Sequence, residues 1–112
     1  LENGVSEVEE GAGRFPQVAG MRYVWDPEAA PGDRIVSVEI ETADGFEAID
    51  PAATYGVVSN NYMRGGGDGY AVFTTAENAY DFGPGLEHVV ADYLAEADGY
   101  TPYTDGRIAT AE

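Results

Sequence analysis

Four of the eleven residues from Asn60 to Tyr70, N-N-Y-M-R-G-G-G-D-G-Y, are glycine. Glycine reaches φ > 0 and lets a backbone come close to another group, at an entropic cost. A chain accepts four of them together where the geometry of the loop matters more than its side chains. The apolar run Tyr55-Gly56-Val57-Val58, within Thr54–Ser59, reads as a buried strand that delivers the loop. Two side chains stand out on it. Tyr62 offers a flat aromatic face, and six residues later Asp68 offers a carboxylate. Together they suit a flat heterocycle and a pair of hydroxyls.

Length and charge narrow the field. At 112 residues the chain is one domain at most. It can bury roughly 65% of its unfolded surface, and its 44% apolar content argues for a folded chain. Twenty-one acidic residues face five arginines and no lysine, for a net charge of −16. That excludes a nucleic-acid backbone as partner, which needs neutralising Lys and Arg, and disfavours anionic membrane surfaces. No apolar run approaches the ~20 residues needed to span a bilayer as a helix, so membrane insertion is not expected. The carboxylates are scattered, not gathered into a tail. Scattered acid without lysine resembles the proteins of extreme halophiles, because at molar salt the Debye length falls to about 3 Å and self-repulsion is screened. The absence of cysteine excludes disulfides, thiolate metal sites and a cysteine nucleophile.

Along the chain, Leu1–Glu9 reads as the end of a helix stopped by Gly11-Ala12-Gly13. Arg14–Ala19 is a short strand or extended stretch, confined by Pro16 to an edge or a strand start. Met21–Trp25 alternates, with Met21, Tyr23 and Trp25 on one face. Arg34–Thr42 is the clearest strand, with Val36, Val38 and Ile40 facing one way and Ser37, Glu39 and Glu41 the other. Asp44-Gly45 signals a hairpin, and Phe46–Ile49 returns as a short strand. Ala71–Asn78 fits a short helix or an extended connection equally. Leu86–Ala97 predicts an amphipathic helix, with Leu86, Val89, Val90, Tyr93, Leu94 and Ala97 on one stripe and Gly99 closing it. Arg107-Ile108-Ala109 adds a last short strand. This order predicts an α+β domain with a mixed, mainly antiparallel sheet and flanking helices.

Several motifs in order carry a resemblance. Asn61-Tyr62-Met63-Arg64-Gly65-Gly66-Gly67-Asp68-Gly69-Tyr70 matches an N-[FY]-x-x-x-G-G-D-G-[FY] loop. Gly13-Arg14-Phe15-Pro16-Gln17-Val18-Ala19-Gly20 matches G-R-F-x-Q-V-[SG]-G. Tyr23-x-x-Asp26-Pro27 and Pro31-Gly32-x-Arg34-Ile35-Val36-Ser37-Val38 follow. Together they resemble the C-terminal, substrate-binding domain of the 5′-nucleotidase / UDP-sugar hydrolase family, from Leu1 to about Phe73, with a looser tail at Gly106-Arg107-Ile108. Gly65 departs from the pattern, which usually has Asn there, and Tyr62 stands where Phe is usual.

The resemblance implies that the chain is a piece of a longer, extracellular or cell-surface protein. The first part of the domain and a catalytic metallophosphoesterase domain, holding two divalent metal ions, would lie upstream. It implies that Tyr62 stacks on a nucleobase as one side of a two-aromatic clamp, that Asp68 accepts hydrogen bonds from ribose hydroxyls, and that Asn61, Gly66 and Gly67 shape the site. Members of the family rotate this domain to carry substrate in. The implied partners are a nucleotide or nucleoside and the N-terminal domain of the same chain. Apolar surface left by a helix cut short near Glu9 would be exposed, or covered by a homodimer. No catalytic residue or metal ligand of the family falls within these residues.

Each assignment has a plainer rival. Tyr62 could be a core tyrosine at a strand end, and Asp68 could simply bond its own backbone in a turn. The glycines lack the G-x-x-x-x-G-K-[ST] of a phosphate loop, and a single copy cannot build a calcium-binding β-helix. Asn60 and Asn61 suit backbone bonding at the strand end. His88, opposite the stripe of its helix, reads as a solvated residue. The alternative function is a non-catalytic binding or interaction module that keeps the fold. An unrelated acidic α+β domain would require the motif order to be coincidence.

Overall fold

The computed structural model describes all 112 residues. They form two compact units, residues Leu1–Val57 with Asp105–Glu112, and residues Val58–Thr104. The first unit is built on a four-stranded mixed sheet. Its strands are β1 (Met21–Trp25), β2 (Ile35–Thr42), β3 (Gly45–Ala48) and β4 (Ile108–Thr110), in the order β3-β2-β1-β4. β1 pairs with β2 and β2 with β3 antiparallel, and β1 pairs with β4 parallel. The β2–β3 hairpin turns through Ala43-Asp44, with Gly45 at φ 115 opening β3 opposite Thr42. The expected α+β class with a mixed, mainly antiparallel sheet is what the chain adopts.

Tyr23 and Val5 are fully buried and centre this unit. Tyr23 faces Val38 across the sheet, and its hydroxyl donates to the Pro16 carbonyl at 3.1 Å. Phe15 meets Trp25 edge-on at 5.9 Å. One expectation for β2 is corrected. Val24 pairs with Ser37 but Trp25 pairs with Ile35, so Val36 is an extra residue in the ladder. A bulge of this kind reverses the alternation. Ile35, not Val36, therefore shares the face of Tyr23, Val38 and Ile40, and Val36 is left exposed.

The expected helix over Leu1–Glu9 is also corrected. The segment winds as irregular turns, with Val5 N–H bonding Leu1, Ser6 bonding Asn3 and Ala12 bonding Glu7. The reason lies in Arg34, which is 4% exposed. Its guanidinium takes the Val5 carbonyl at 2.6 Å, an acceptor that a helix would need, and also bonds the Glu9 carboxylate and the Ala29 carbonyl. The Glu2 carboxylate meanwhile accepts from the N–H groups of Arg34 and Ile35 at 3.1 and 2.7 Å. Side-chain bonds of this kind compete with a helical ladder, and Gly4 adds an entropic penalty of its own.

Thr54–Ser59 is not a buried strand. It has no regular secondary structure and lies outside the sheet, and Val57 and Val58 are 66% and 100% exposed. Strand composition gives no ladder without a neighbouring strand, and here the Tyr55 hydroxyl instead accepts from the Asp50 N–H, closing a turn at Pro51. Arg14–Ala19 forms no strand: Arg14 lies in a turn, Ala19 in a bend, and Phe15–Val18 between them carries no regular structure.

The second unit holds α1 (Asn61–Arg64), two 3₁₀ turns at Gly67–Gly69 and Ala71–Thr75, and α2 (Leu86–Glu96). The open choice at Ala71–Asn78 thus falls to 3₁₀ helix, where the Thr74 and Thr75 hydroxyls bond back to the Ala71 and Val72 carbonyls at 2.7 and 2.8 Å. Tyr70 is buried and stacks on Phe73 with rings 5.6 Å apart. α2 forms as its periodicity predicts and closes at Asp98 and Gly99, both at positive φ. Its stripe of Leu86, Val89, Val90, Tyr93 and Leu94 is exposed. The exposed apolar surface expected at the opening segment lies here and at Val57-Val58 instead, while Val5 is buried.

Candidate functional site

The glycine loop is organised by its own short-range chemistry. Asn60 caps α1, its side-chain oxygen accepting from the Met63 N–H at 2.8 Å. This places Tyr62 in the first turn of a one-turn helix, not at a strand end. Asn61 lies exposed at the start of α1. Gly65 ends the helix at φ −77, and a Cβ there would meet only the Asn61 and Tyr62 carbonyls at 3.4 and 3.6 Å. Gly66 then turns the chain at φ 90, in the left-handed region that favours glycine.

Gly67 has a different reason to be glycine. A Cβ on it would lie 2.6 Å from three carbons of the Tyr62 ring. Near-equal distances to atoms around the ring mean that the backbone of Gly67 lies flat against one ring face. The tyrosine is 61% exposed overall, so it is a platform backed by glycine and open to solvent. The core-tyrosine alternative does not hold. Asp68 follows at φ 53, ψ 31, a left-handed conformation that Asp and Asn visit more readily than other side chains. Its Oδ1 accepts from the Tyr62 hydroxyl at 3.4 Å. The two side chains singled out in the sequence are therefore brought together on one loop.

Arg64 braces this arrangement. Its Nη1 donates to the Phe73 carbonyl at 2.9 Å, and its Nε lies 3.1 Å from the Asp81 carboxylate. This ties α1 to the segment after the loop. Sequence reasoning missed the bracing by Arg64 and the Tyr62–Asp68 contact, while Asn60 bonds backbone as expected, at a helix start instead of a strand end. The bond was legible but not its role as an N-cap, a common use of Asn before a helix, because the short helix lies inside a stretch read as a loop. His88 is exposed, with Nε2 3.6 Å from Glu87 Oε1. No group of three or more His, Asp or Glu side chains converges to hold a metal ion.

An exposed aromatic face with a carboxylate beside it can stack a flat ring and accept from adjacent hydroxyls. The sequence profile described as 5′-nucleotidase, C-terminal domain matches residues 1–75. The chain belongs to the 5′-nucleotidase C-terminal domain family. Among its relatives, the trifunctional nucleotide phosphoesterase protein YfkN of Bacillus subtilis (strain 168) is 41% identical over 110 residues, covering 96% of this chain and 8% of that protein. The 5′-nucleotidase of Homo sapiens is 27% identical over 112 residues, covering 96% of this chain and 20% of the human protein. In structure, the 5′-nucleotidase precursor from Thermus thermophilus aligns with a TM-score of 0.93 and 42% identity, over 98% of this chain and 22% of its own. The Haemophilus influenzae NAD nucleotidase aligns at 0.77 and 27%, over 99% and 21%. The chain thus spans 22% or less of the length of each of these four family relatives.

Proposed function

We propose that this chain is the nucleotide-binding part of a 5′-nucleotidase-like phosphohydrolase. Tyr62 stacks on the base, Asp68 accepts from the ribose hydroxyls, and Asn61, Gly66 and Gly67 shape the loop. The observation that carries the reading is the Tyr62 ring, backed by Gly67 on one face and open on the other, with Asp68 at its hydroxyl. Membership of the family gives that geometry its substrate class. An open ring face calls for a second aromatic from outside these residues to complete a clamp.

The small share of each relative that the chain covers supports a larger protein, with an N-terminal metallophosphoesterase domain supplying two divalent metal ions. In this reading the contribution of these residues is to bind and orient. Holding the nucleoside fixes where the phosphate lies, and such positioning lowers the barrier by removing translational and rotational freedom beforehand. An extracellular or cell-surface location fits a family that includes a snake venom 5′-nucleotidase.

The test is calorimetric titration of the full-length protein with adenosine and uridine in molar KCl. Tyr62→Ala and Asp68→Ala should each weaken binding by about tenfold or more. Unchanged affinity in both variants would remove the loop from nucleoside binding. A well-folded full-length protein that binds no nucleoside would favour the alternative, a module of the same fold that has left nucleotide chemistry.

A further inference from the structure

The stretch Gly65–Gly69 is glycine at every position but Asp68, and Gly66, Asp68 and Gly69 stand at positive φ. Glycine loses more freedom on ordering than any other residue, so a loop of this kind keeps one shape only when its two ends are fixed. α1, which leads into it, is four residues long, too short to persist by its own hydrogen bonds. The far end is anchored. Tyr70 is buried and stacks on Phe73, whose N–H donates to the Tyr70 carbonyl at 3.0 Å. Arg64, the last residue of α1, spans from one end to the other. Its Nη1 donates to the Phe73 carbonyl at 2.9 Å. Its Nε, shut off from solvent, lies 3.1 Å from Asp81 Oδ1 in an ion pair without a hydrogen bond. Resting on the nucleoside reading above, we propose that Arg64 is a positioning residue: by holding α1 to Phe73 and Asp81, it keeps the Tyr62 ring seated on Gly67 before a nucleoside arrives.

Arginine suits this task better than lysine. Its planar guanidinium sends donors along fixed lines, so one side chain meets a carbonyl and a carboxylate at once, whereas an ammonium is a point charge on a flexible stem. The guanidinium is part-buried, so salt screens its pairing less than it screens fully exposed charges. Arg64 also stands at an open position of the N-[FY]-x-x-x-G-G-D-G-[FY] pattern, so the loop motif itself does not call for it. With Arg64 cut back, α1 loses its tie across the loop, and the ligand must order the ring and the glycines as it binds. That ordering cost subtracts from affinity. It falls equally on every base, because it arises before the base is read. Nucleosides carry no phosphate, so a loss measured on them owes nothing to a guanidinium–phosphate contact.

The experiment titrates the full-length protein with adenosine and uridine in molar KCl by calorimetry, at a temperature where melting curves show each variant folded. Arg64→Met should weaken both nucleosides by about tenfold and by the same factor. Arg64→Lys, which keeps the charge but not the fork, and Asp81→Asn should each cost about threefold, and these two carry the test if Arg64→Met does not fold. Adding either Arg64 substitution to Tyr62→Ala should weaken binding by no more than about twofold beyond Tyr62→Ala alone, since Arg64 acts through the ring. A merely structural brace would lower the melting temperature and leave the affinities unchanged, which would overturn the proposal. Losses that add in full on the Tyr62→Ala background would overturn it too, because Arg64 would then act independently of the ring. Failure of the underlying nucleoside reading looks different, because Tyr62→Ala by itself would then leave both affinities where they were.

Discussion

Adjacent glycines in the loop carry different obligations. Gly67→Ala should be destabilising by about 1–3 kcal/mol, as for overpacking, because the new methyl meets the Tyr62 ring at 2.6 Å. Gly65→Ala or Gly65→Asn should shift stability by less than about 0.5 kcal/mol, since neither the backbone nor the space around Gly65 opposes a side chain. Gly66→Ala should cost about 1–2 kcal/mol through its left-handed backbone. Urea denaturation midpoints of the three variants check this ranking. Tyr62→Ala should abolish most of the Gly67→Ala penalty and none of the Gly66→Ala penalty, which a double-mutant cycle reads directly. The pairing of Tyr62 with Asp68 was legible as two residue types on one glycine-rich loop. Why Gly67 must lack a side chain was not, because spacing says nothing of the direction in which a ring lies.

At the level of elements, the segments that pair in the sheet were the legible ones. β1, β2, β3 and β4 follow from alternation and the hairpin signal, and α2 from its period. Thr54–Ser59 failed because apolar composition cannot reveal whether a neighbour is present to complete a ladder. The opening segment failed because Arg34, some thirty residues away in sequence, claims its carbonyl. Arg34→Met should therefore lower stability by about 2–4 kcal/mol, leaving the Val5 and Ala29 carbonyls without their donor, as thermal or denaturant unfolding would show. At the start of β4, hydrogen bonds from the Arg107 side chain hold the Asp105 carboxyl down to about 2, against an ordinary 3.8. A depressed carboxylate stabilises the fold above its unfolded value and loses that contribution as pH falls through its folded value. The parent should thus lose stability relative to Asp105→Asn between about pH 4 and pH 2, and the two should converge below that window. Denaturation midpoints across pH give the comparison.

For the whole molecule, charge weighs most. A net −16 on 112 residues opposes compaction at low ionic strength. Melting temperature should rise steadily as KCl goes from about 0.1 M to about 2 M, where screening becomes nearly complete; a flat profile would remove the halophilic reading. The sheet carries a further consequence, for synthesis. β1 takes one neighbour from β2, which follows it closely, and the other from β4, much further along the sequence. About eighty residues must leave the ribosome between Trp25 and Ile108, which takes about 4–16 s at ordinary elongation rates. During that interval one edge of β1 has no strand from this chain to pair with, and nascent protein is open to capture by chaperones or by other unfinished chains. The codons for Ile108–Thr110 therefore decide when this sheet is safe.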